Sequence, residues 1–432
     1  MLIEFRFKNF ASFRDEQVLS MVASSYKTLA EENTISVPSL GKRRLVRSAV
    51  VYGANASGKS NLVAALEFVK VFVQMSADQK PGTEIPLNPF LLDKTSAASR
   101  SEFEVTFIHN AVRYQYGFSA DHRRVYEEWL IAYPKGFARK WFERSPDPDT
   151  DESEWYFGPH LKGEKEKLVL LTRPDVLFLS VAAKFNHKQL SEAYNWFANH
   201  LRVIGVGNVV DLDCFLFTAN LTVSDKDFNR RIASLLRDAD FGIEDFSVQE
   251  RKALPEDMPE ELRRLISRYG AEWAGKFEVQ LQHRTEGRPA VRFPLELESD
   301  GTQRVFRVGG PWIYTLQHGF TLVVDELDAS LHPHLVRGLV SMFHNPDLNS
   351  RNAQLIFNTH DTTLLDSSLF RRDQIWFTEK DNSGASHLYP LLDYRPRKDE
   401  ALEKWYMRGK YGAIPIIGGL DLLGGDTSDG KA

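Results

Sequence analysis

The chain has 432 residues, enough for one large domain with insertions or for two domains, since a typical domain has ~150 residues. Its composition, 42% hydrophobic and 26% charged residues, excludes a fully disordered, collagen-like or membrane-embedded protein. A net charge of -5 gives no global reason to expect nucleic acid or an anionic membrane as a partner. The single cysteine, Cys214, excludes an intramolecular disulfide and a Cys-rich zinc site, and favours a cytoplasmic location.

The first strand is predicted at the N-terminus, where Ile3, Phe5 and Phe7 alternate with charged residues. This alternation lacks the basic start and the apolar core of a secretory signal. The longest apolar run, Val176 to Ala183, is well short of the roughly 20 residues that a transmembrane helix needs. We therefore expect neither a secretory leader nor a membrane span, and we interpret this run as a buried strand or helix.

A strand, a tight loop and a helix are predicted next along the chain. The apolar run Leu45 to Tyr52 predicts the strand, and Leu62, Leu66, Val69 and Val73 follow the loop at helical spacing. The loop between them matches the phosphate-binding pattern G-x-x-x-x-G-K-[ST] in the context that the pattern requires. It consists of Gly53, Ala54, Asn55, Ala56, Ser57, Gly58, Lys59 and Ser60.

These residue types suit a nucleoside triphosphate with Mg²⁺. Gly53 and Gly58 allow backbone N–H groups to surround an anion, and the new helix adds its positive end. Lys59 supplies a charge for the β and γ phosphates, and Ser60 offers a hydroxyl to the metal. From average residue frequencies, a chance match arises in on the order of one chain in a hundred of this length. We therefore predict that the eight residues bind ATP.

The middle of the chain is predicted to contain a β layer and then helices. The acidic segment from Ser145 to Glu154 is expected to be a mobile surface loop. From Phe185 to Leu265 the pattern is mainly helical, and the absence of sustained heptads excludes long coiled-coil arms. Three earlier runs predict short antiparallel strands: Phe103 to Phe107, Tyr114 to Phe118 and Glu127 to Tyr133.

Strand character returns at Phe277 to Gln282, and buried parallel strands are predicted at Phe320 to Val324 and Gln354 to Asn358. The first of the two parallel strands runs into Asp325 and Glu326. An α/β sheet places its ligand at the carboxyl ends of its strands. Asp325 can hold Mg²⁺, and Glu326 can orient or deprotonate the attacking water. Two acids at a strand end are ordinary by themselves; the phosphate-binding loop makes the functional interpretation the better one.

Two further motifs indicate the class of ATPase. The run Ser299-Asp300-Gly301-Thr302-Gln303 resembles a variant of the Ser-x-Gly-x-Gln signature of ABC-type ATPases, and Asn358-Thr359-His360 resembles their switch histidine. In that family the signature of one subunit caps the γ-phosphate that is held by the other subunit. The resemblance therefore implies an ATP-bridged homodimer or higher homo-oligomer, in which Ser299 and Gly301 bind ATP and His360 is catalytic.

A closer resemblance lies in the run Asp325 to Pro333, which is similar to the D-E-x-[DE]-x-S-L-H-P run of AAA-type, ABC-like ATPases of prokaryotic phage-defence islands. That group includes the ATPase domain of the overcoming-lysogenization-defect (OLD) family. The C-terminal run Arg408 to Pro415 resembles the RloA-type branch, which is encoded beside a small partner of the RloB type. The resemblance implies an α/β fold: an ABC-type P-loop ATPase head with a mixed sheet core, an antiparallel β layer and an inserted, mainly helical domain.

The sequence departs from the family's pattern in two places, and the long separation of Gly53 from Gly301 predicts an inserted domain. The signature begins Glu298-Ser299-Asp300 in place of Leu-Ser-Gly, and neither Gln74 nor Gln79 lies in a recognisable glutamine-loop context.

The predicted division is an N-terminal lobe at 1–180, a helical insertion at 181–276, a C-terminal lobe at 277–417 and a flexible tail at 418–432.

The first functional hypothesis is an ATP-binding and ATP-hydrolysing dimeric switch of a phage-defence system. It would control a separately encoded effector such as a nuclease, because the stretch after His360 is short for a further domain and has no acidic D-x-D cluster. The alternative is a DNA-engaging repair or recombination ATPase of the RecF/SMC-like class. Its local support is three groups of basic residues: Lys42-Arg43-Arg44 with Arg47, Arg371-Arg372, and Arg395 with Arg397-Lys398. A transporter nucleotide-binding subunit, the third reading, fits the long insertion poorly.

Overall fold

The computed structural model describes residues 1–147, 152–205, 208–239, 242–250, 277–285, 289–397 and 400–415. The strands along the chain are β1 (Leu2–Lys8), β2 (Gln17–Ser20), β3 (Thr34–Ser36), β4 (Arg44–Val46), β5 (Ser48–Gly53), β6 (Ser101–His109), β7 (Val112–Ala120), β8 (Val125–Tyr133), β9 (Arg139–Pro146), β10 (Ser153–Phe157), β11 (Leu201–Ile204), β12 (Ile243–Glu250), β13 (Phe277–His283), β14 (Val291–Pro294), β15 (Thr321–Val324), β16 (Gln354–Asn358), β17 (Ile375–Lys380) and β18 (Ser386–Pro390).

The α-helices of the described residues alternate with these strands. They are α1 (Ala30–Asn33), α2 (Lys59–Met75), α3 (Lys94–Ala97), α4 (Lys165–Leu171), α5 (Phe178–Lys184), α6 (Lys188–Asn195), α7 (Asn208–Ser224), α8 (Lys226–Asp238), α9 (Asp300–His318), α10 (Pro333–His344) and α11 (Leu402–Met407). The run Val176 to Ala183 lies largely in α5, so it is a buried helix. None of the helices in the described ranges has both the length and the apolar character needed to cross a membrane.

A six-stranded sheet forms the centre of the fold, in the order β11-β15-β16-β5-β17-β18. Its first five strands are parallel, and β18 is antiparallel to β17. Both faces are covered, which is why β5, β15 and β16 read as continuous apolar runs in the sequence. The predicted parallel strands at 320–324 and 354–358 are thus confirmed. Because the strands are parallel, β5, β15 and β16 end at one edge, where the predicted functional residues begin.

A seven-stranded antiparallel sheet, β10-β9-β8-β7-β6-β1-β2, forms the second layer and contains the three strands predicted after the first helix. Helix α2 lies between the two sheets. Its buried residues belong to one apolar core that also contains residues of both sheets. Phe72 contacts Phe118 of the antiparallel sheet at a ring-centroid distance of 5.5 Å. Leu66 belongs to the same core as Val51 and Ile356 of the central sheet.

Helices α7, α8 and α9 build a second apolar core with the central sheet. Phe228 and Ile232 of α8 and Trp312 of α9 are fully buried in this core, together with Leu322 of β15. Helix α8 lies in the stretch from Phe185 to Leu265 for which a mainly helical pattern is predicted, and the structure confirms a helix there. These helices lie N-terminal and C-terminal to the small antiparallel sheet β12-β13-β14 in the sequence.

The predicted helical insertion at 181–276 also contains two strands. Strand β12 belongs to the small sheet β12-β13-β14, and strand β11 pairs in parallel with β15 and completes the central sheet. The run is only four residues long, and its buried ends, Leu201 and Ile204, gave no strand signal among the helical patterns around it. The predicted helical stretch is therefore interrupted by a core strand. The centre of the predicted loop at 145–154 and the predicted tail at 418–432 lie outside the described residues.

The contact between α7 and α9 predicts a stability effect at Gly310. A Cβ atom at this position would collide with Thr218, whose hydroxyl donates a hydrogen bond to the Arg307 carbonyl oxygen at 3.1 Å. We expect Gly310→Ala to lower the free energy of unfolding by about 1–3 kcal/mol. Gly338→Ala is the matched control, because Gly338 is also helical but faces open space. It should gain about 0.5–1 kcal/mol, measured by denaturant unfolding. Equal stability of the two variants would contradict this close approach.

Candidate functional site

The segment between β5 and α2 has its shape set by two glycines that lie against β17 and β18. A Cβ atom at Gly53 would lie 2.5 Å from the Ser57 hydroxyl oxygen and from the Thr378 carbonyl oxygen. Gly58 has φ +113°, and a Cβ atom there would lie 2.7 Å from the Ser386 hydroxyl oxygen. Only glycine fits both positions without displacing backbone or buried side chains. The strand, loop and helix predicted from the sequence are all present.

Lys59 is the first residue of α2 and is almost fully buried beneath this loop. Its Nζ donates hydrogen bonds to the carbonyl oxygens of Gly53 at 2.9 Å and Ala54 at 3.1 Å. Burial lowers the pKa of Lys59, and the nearby carboxylates of Glu326 and Asp325 oppose that shift. The ammonium group is thus held in the curve of the loop, where phosphate oxygens can replace the two carbonyl groups as its acceptors.

The N-terminus of α2 suits an anion. Gly58 occupies the N-cap position and no side chain of the described residues caps it, so the first N–H groups of a 17-residue helix have no side-chain acceptor. The hydroxyl of Ser60, the second residue of this helix, donates to Asp325 Oδ1 at 3.1 Å. The two residues predicted to hold Mg²⁺ are therefore in contact. A hydroxyl and a carboxylate are the oxygen donors that this ion prefers, so the residues present fit the metal.

The two acids follow β15 at the carboxyl edge of the central sheet. Asp325 is buried, while Glu326 is partly exposed and has φ +48°, in the left-handed region. The N–H group of Glu326 donates to Asn358 Oδ1 at 2.7 Å, and Asn358 Nδ2 donates to Asp325 Oδ1. The sequence singled out Asn358 only as a neighbour of the switch histidine. The missed signal was a polar residue at the end of a buried strand that adjoins the acid strand.

His360 lies beside the same turn. Its N–H group donates to the carboxylate of Asp328, with N···O distances of 3.2 and 3.3 Å. The main-chain carbonyl oxygen of the next residue, Asp361, accepts a hydrogen bond from the Tyr52 hydroxyl at 3.2 Å. Tyr52 directly precedes the phosphate-binding loop. The structure thus connects the phosphate-binding segment, the two acids and His360 through a short chain of contacts.

Ser299 and Gly301 lie apart from this group, at the N-terminus of α9. The Ser299 hydroxyl caps the helix by accepting a hydrogen bond from the Thr302 N–H group at 3.2 Å. Within the described ranges, no hydrogen bond joins Ser299 or Gly301 to the loop or to the acids. Because Ser299 is exposed, this helix end is accessible to an anion that another molecule carries.

The basic groups considered for DNA binding are partly structural. Arg47 is buried and donates to the Asn349 carbonyl oxygen at 3.3 Å. Arg371 is also buried, pairs with Asp373 and donates to the Tyr26 and Thr28 carbonyl oxygens. These contacts occupy both guanidinium groups inside the protein, and Lys398 lies outside the described residues.

The two glutamines considered for a glutamine loop, Gln74 and Gln79, lie away from the phosphate-binding segment. Gln74 lies near the C-terminal end of α2, roughly 20 Å along the helix from Lys59. Its Nε2 donates to the Ala198 carbonyl oxygen at 3.3 Å. Gln79 follows beyond the end of that helix, so neither residue contacts the phosphate-binding segment.

Comparisons with known proteins identify one matching family. The family model described as "AAA domain, putative AbiEii toxin, Type IV TA system" matches residues 48–366. An SMC head bound to the C-winged helix domain of ScpA is similar with 12% identity and a TM-score of 0.40, covering 90% of this chain and 96% of that chain. The structure of the recombination mediator protein RecF is similar with 13% identity and a TM-score of 0.29, covering 90% of this chain and 98% of that chain. These likenesses are too distant to transfer a function. No curated protein matches significantly.

The family match includes the phosphate-binding segment, both acids and His360, and it spans well over half of the chain. The predicted α/β fold class is confirmed: the protein has a P-loop ATPase head with a mixed central sheet and an antiparallel β layer. The chain therefore belongs to the AAA domain family described as putative AbiEii toxin, Type IV TA system, and it is an ATPase of the AAA class.

Proposed function

We propose that the protein is an ATP-hydrolysing switch that closes as a homodimer around its nucleotides and controls a separately encoded effector in an antiviral defence system. The observation that carries the nucleotide part is the contact of Ser60 with Asp325 at 3.1 Å, next to Lys59 and Glu326. This group joins a phosphate-binding segment to a pair of acids at one edge of the sheet. The single cysteine supports a cytoplasmic location as part of the same proposal.

The residues are assigned these roles in the proposal. The segment from Gly53 to Ser60 surrounds the phosphates, and Lys59 neutralises charge on the β and γ groups. Ser60 and Asp325 hold Mg²⁺, which supplies charge neutralisation at the phosphate oxygens when it is bound. Glu326 accepts a proton from the water that attacks the γ-phosphorus, and the bond to the ADP oxygen breaks. His360 donates a hydrogen bond to the γ-phosphate.

Dimer closure is proposed because the N-terminus of α9 is exposed and, among the described residues, no hydrogen bond joins Ser299 or Gly301 to the phosphate-binding loop or to the acids. In the closed pair, Ser299 and Gly301 of one copy would bind the γ-phosphate held by Lys59 of the other. The same geometry makes α9, together with α7 and α8, the lobe that approaches the second copy. A symmetric dimer has two such sites, because each copy contributes its Lys59 to one site and its Ser299 to the other.

Mixing two inactive variants tests this arrangement. Lys59→Ala and Ser299→Arg should each hydrolyse ATP very slowly as pure proteins. A 1:1 mixture should regain about a quarter of the wild-type turnover, because half of the random pairs contain one intact composite site out of two. Ser350→Arg, the same change at an exposed serine outside this lobe, is the control and should keep full activity. Full activity of Ser299→Arg by itself, or a mixture without recovery, would refute the composite site.

The effector part of the proposal is supported by the C-terminal segment that resembles the RloA-type branch. Tyr406 of α11 packs against Tyr52 at a ring-centroid distance of 5.8 Å, and Glu403 accepts a hydrogen bond from Thr362 at 3.0 Å. Tyr52 precedes the phosphate-binding segment and Thr362 follows His360. The segment also exposes Trp405 and Met407. A partner bound there would be connected to the nucleotide site by these contacts.

Co-expression with the product of the neighbouring gene tests the effector. The complex is purified and its mass is measured with ATP, with ADP and without nucleotide. We expect a stable complex whose stoichiometry depends on the nucleotide. A neighbouring product that does not bind under any of these conditions would overturn the effector proposal and leave the ATPase assignment in place.

A further inference from the structure

Asn358 occupies the centre of the candidate site, yet none of the roles above uses it. It is the last residue of β16, which lies between the acid strand β15 on one side and the phosphate-loop strand β5 on the other. Its side chain is 1% exposed. Buried amides require partners for both ends, so the contacts of Asn358 show what the residue does there.

Both ends of the Asn358 amide contact the acid pair. Nδ2 donates to Asp325 Oδ1, the same oxygen that accepts the Ser60 hydroxyl, and Oδ1 accepts the Glu326 N–H group at 2.7 Å. The orientation of the amide is fixed by these partners, because a carboxylate only accepts and an N–H group only donates. The Asn358 carbonyl oxygen adds a third bond, from the Leu327 N–H group at 3.1 Å.

The bond to Glu326 stabilises an unusual backbone conformation. Glu326 has φ +48°, a region that costs a residue with a Cβ atom about 1 kcal/mol or more and persists only where the surroundings hold it. The conformation turns the chain sharply after β15 and sets the direction in which the Glu326 side chain leaves it. Asn358 holds the N–H group of that residue, and thereby its direction.

We propose that Asn358 is a positioning residue that aligns both acids for ATP hydrolysis: it orients the metal-binding carboxylate of Asp325 and holds the backbone that aims Glu326 at the attacking water. The inference rests on the ATPase function proposed above and deepens it. The bond from His360 N–H to Asp328 joins the same two segments a second time. The acid turn is therefore bonded both to the end of β16 and to His360.

Only an amide of this length meets both demands. Asn358→Asp has the same shape and keeps an acceptor for the Glu326 N–H group, but its carboxylate cannot donate to Asp325 and adds a like charge beside it. Asn358→Ala removes both bonds. Asn358→Ser keeps one hydroxyl, which can make one of the two. We expect the order of activity to follow the number of bonds retained without a repulsive charge: Asn, Ser, then Ala and Asp.

The matched control is Gln354, a second buried amide on the same strand. Its Nε2 donates to the Leu2 and Val46 carbonyl oxygens and its Oε1 accepts the Leu2 N–H group, so it connects strands at the opposite end of β16. Gln354→Glu introduces the same chemical change as Asn358→Asp at a site without contact to the acids. It measures what a buried carboxylate costs in stability alone.

The experiment compares kcat, KM for ATP, the Mg²⁺ concentration for half-maximal activity and the melting temperature. Asn358→Asp and Asn358→Ala should lower kcat by about 10- to 100-fold and raise the Mg²⁺ requirement about tenfold, as expected for a residue that orients metal ligands. KM should change less than about threefold, since the phosphate-binding segment is intact. Gln354→Glu should lower the melting temperature at least as much as Asn358→Asp does, but its kcat should equal that of the wild type.

Wild-type kcat in the Asn358 variants would overturn the inference, and so would a loss of kcat in Gln354→Glu that matches theirs. Glu326→Gln is measured alongside as a reference. If Glu326→Gln is inactive while the Asn358 variants are normal, only the positioning role fails. If Glu326→Gln is active, the proposed hydrolytic mechanism fails first. Should Asn358→Ala not fold, Asn358→Asp and Asn358→Ser decide the outcome by the same criteria.

Discussion

Glu326→Gln is expected to lower ATP turnover by about 10²- to 10⁴-fold, the contribution typical of a positioned general base. The amide that replaces the carboxylate has the same shape but cannot accept the proton of the attacking water. The backbone bond from residue 326 to Asn358 does not depend on the side chain, so the local fold should be retained. Lys59 and the glycines are unchanged, and ATP affinity should therefore stay within about threefold of wild type.

This prediction is checked by steady-state phosphate release, together with the mass of the protein in the presence of ATP. Because hydrolysis is blocked while binding persists, the ATP-bound dimer should accumulate. Glu166→Gln, the same change at an exposed acid of α4, is the control and should behave as wild type. Normal turnover of Glu326→Gln would remove this residue from the mechanism.

Lys59→Ala is expected to weaken ATP binding by about 10- to 100-fold, the loss that follows when a hydrogen bond from a charged donor is removed. The reason is the placement of Nζ: it lies in the curve of the loop, within hydrogen-bonding distance of two of the loop's carbonyl oxygens. Alanine leaves the phosphates with the backbone N–H groups and the helix end but without a compensating charge. Turnover at saturating ATP should also fall.

Calorimetric titration with a non-hydrolysable ATP analogue measures the affinity. Lys70→Ala is the matched control, since Lys70 lies on the same helix, three turns further from the loop, and its nearby charged groups are Arg202, Glu67 and Asp213. Its ATP affinity should equal that of the wild type. Equal affinities for both alanine variants would contradict the role assigned to Lys59.

The nucleotide segment was readable from the sequence because its pattern is contained in eight consecutive residues, from Gly53 to Ser60. The close approaches that require the two glycines come mainly from β17 and β18, far along the chain, and the pattern marks the glycines without revealing those neighbours. Strands β15 and β16 were readable for a related reason: a strand covered on both faces is a continuous apolar run. Each of these features is set by neighbours in sequence or by burial, and periodicity records both.

What the sequence did not reveal depends on which strands become neighbours. The contact of Asn358 with the acids requires the register of β15 and β16, in which Val324 lies opposite Phe357. Strand β11 is a core strand only because β15 lies beside it. Arg371 appeared in a basic pair of the kind found on surfaces, but its partners are carbonyl oxygens about 340 residues earlier in the chain. Periodicity contains no information on such pairings.

The loop's dependence on β17 and β18 bears on where the protein can be shortened. The family match ends at residue 366, before both strands, and begins at residue 48, after Ser12 and Phe13. Yet Ser386 lies against Gly58, Phe13 approaches the same glycine, and Ser12 bonds to Asn61 and Ser386. A fragment trimmed to the matched region would keep every nucleotide-binding motif. It would lose the two segments that pack against the phosphate-binding loop, one at Ser12 and Phe13 and the other formed by β17 and β18. The shape of the phosphate-binding loop therefore depends on contacts with segments outside the matched region, which no motif marks.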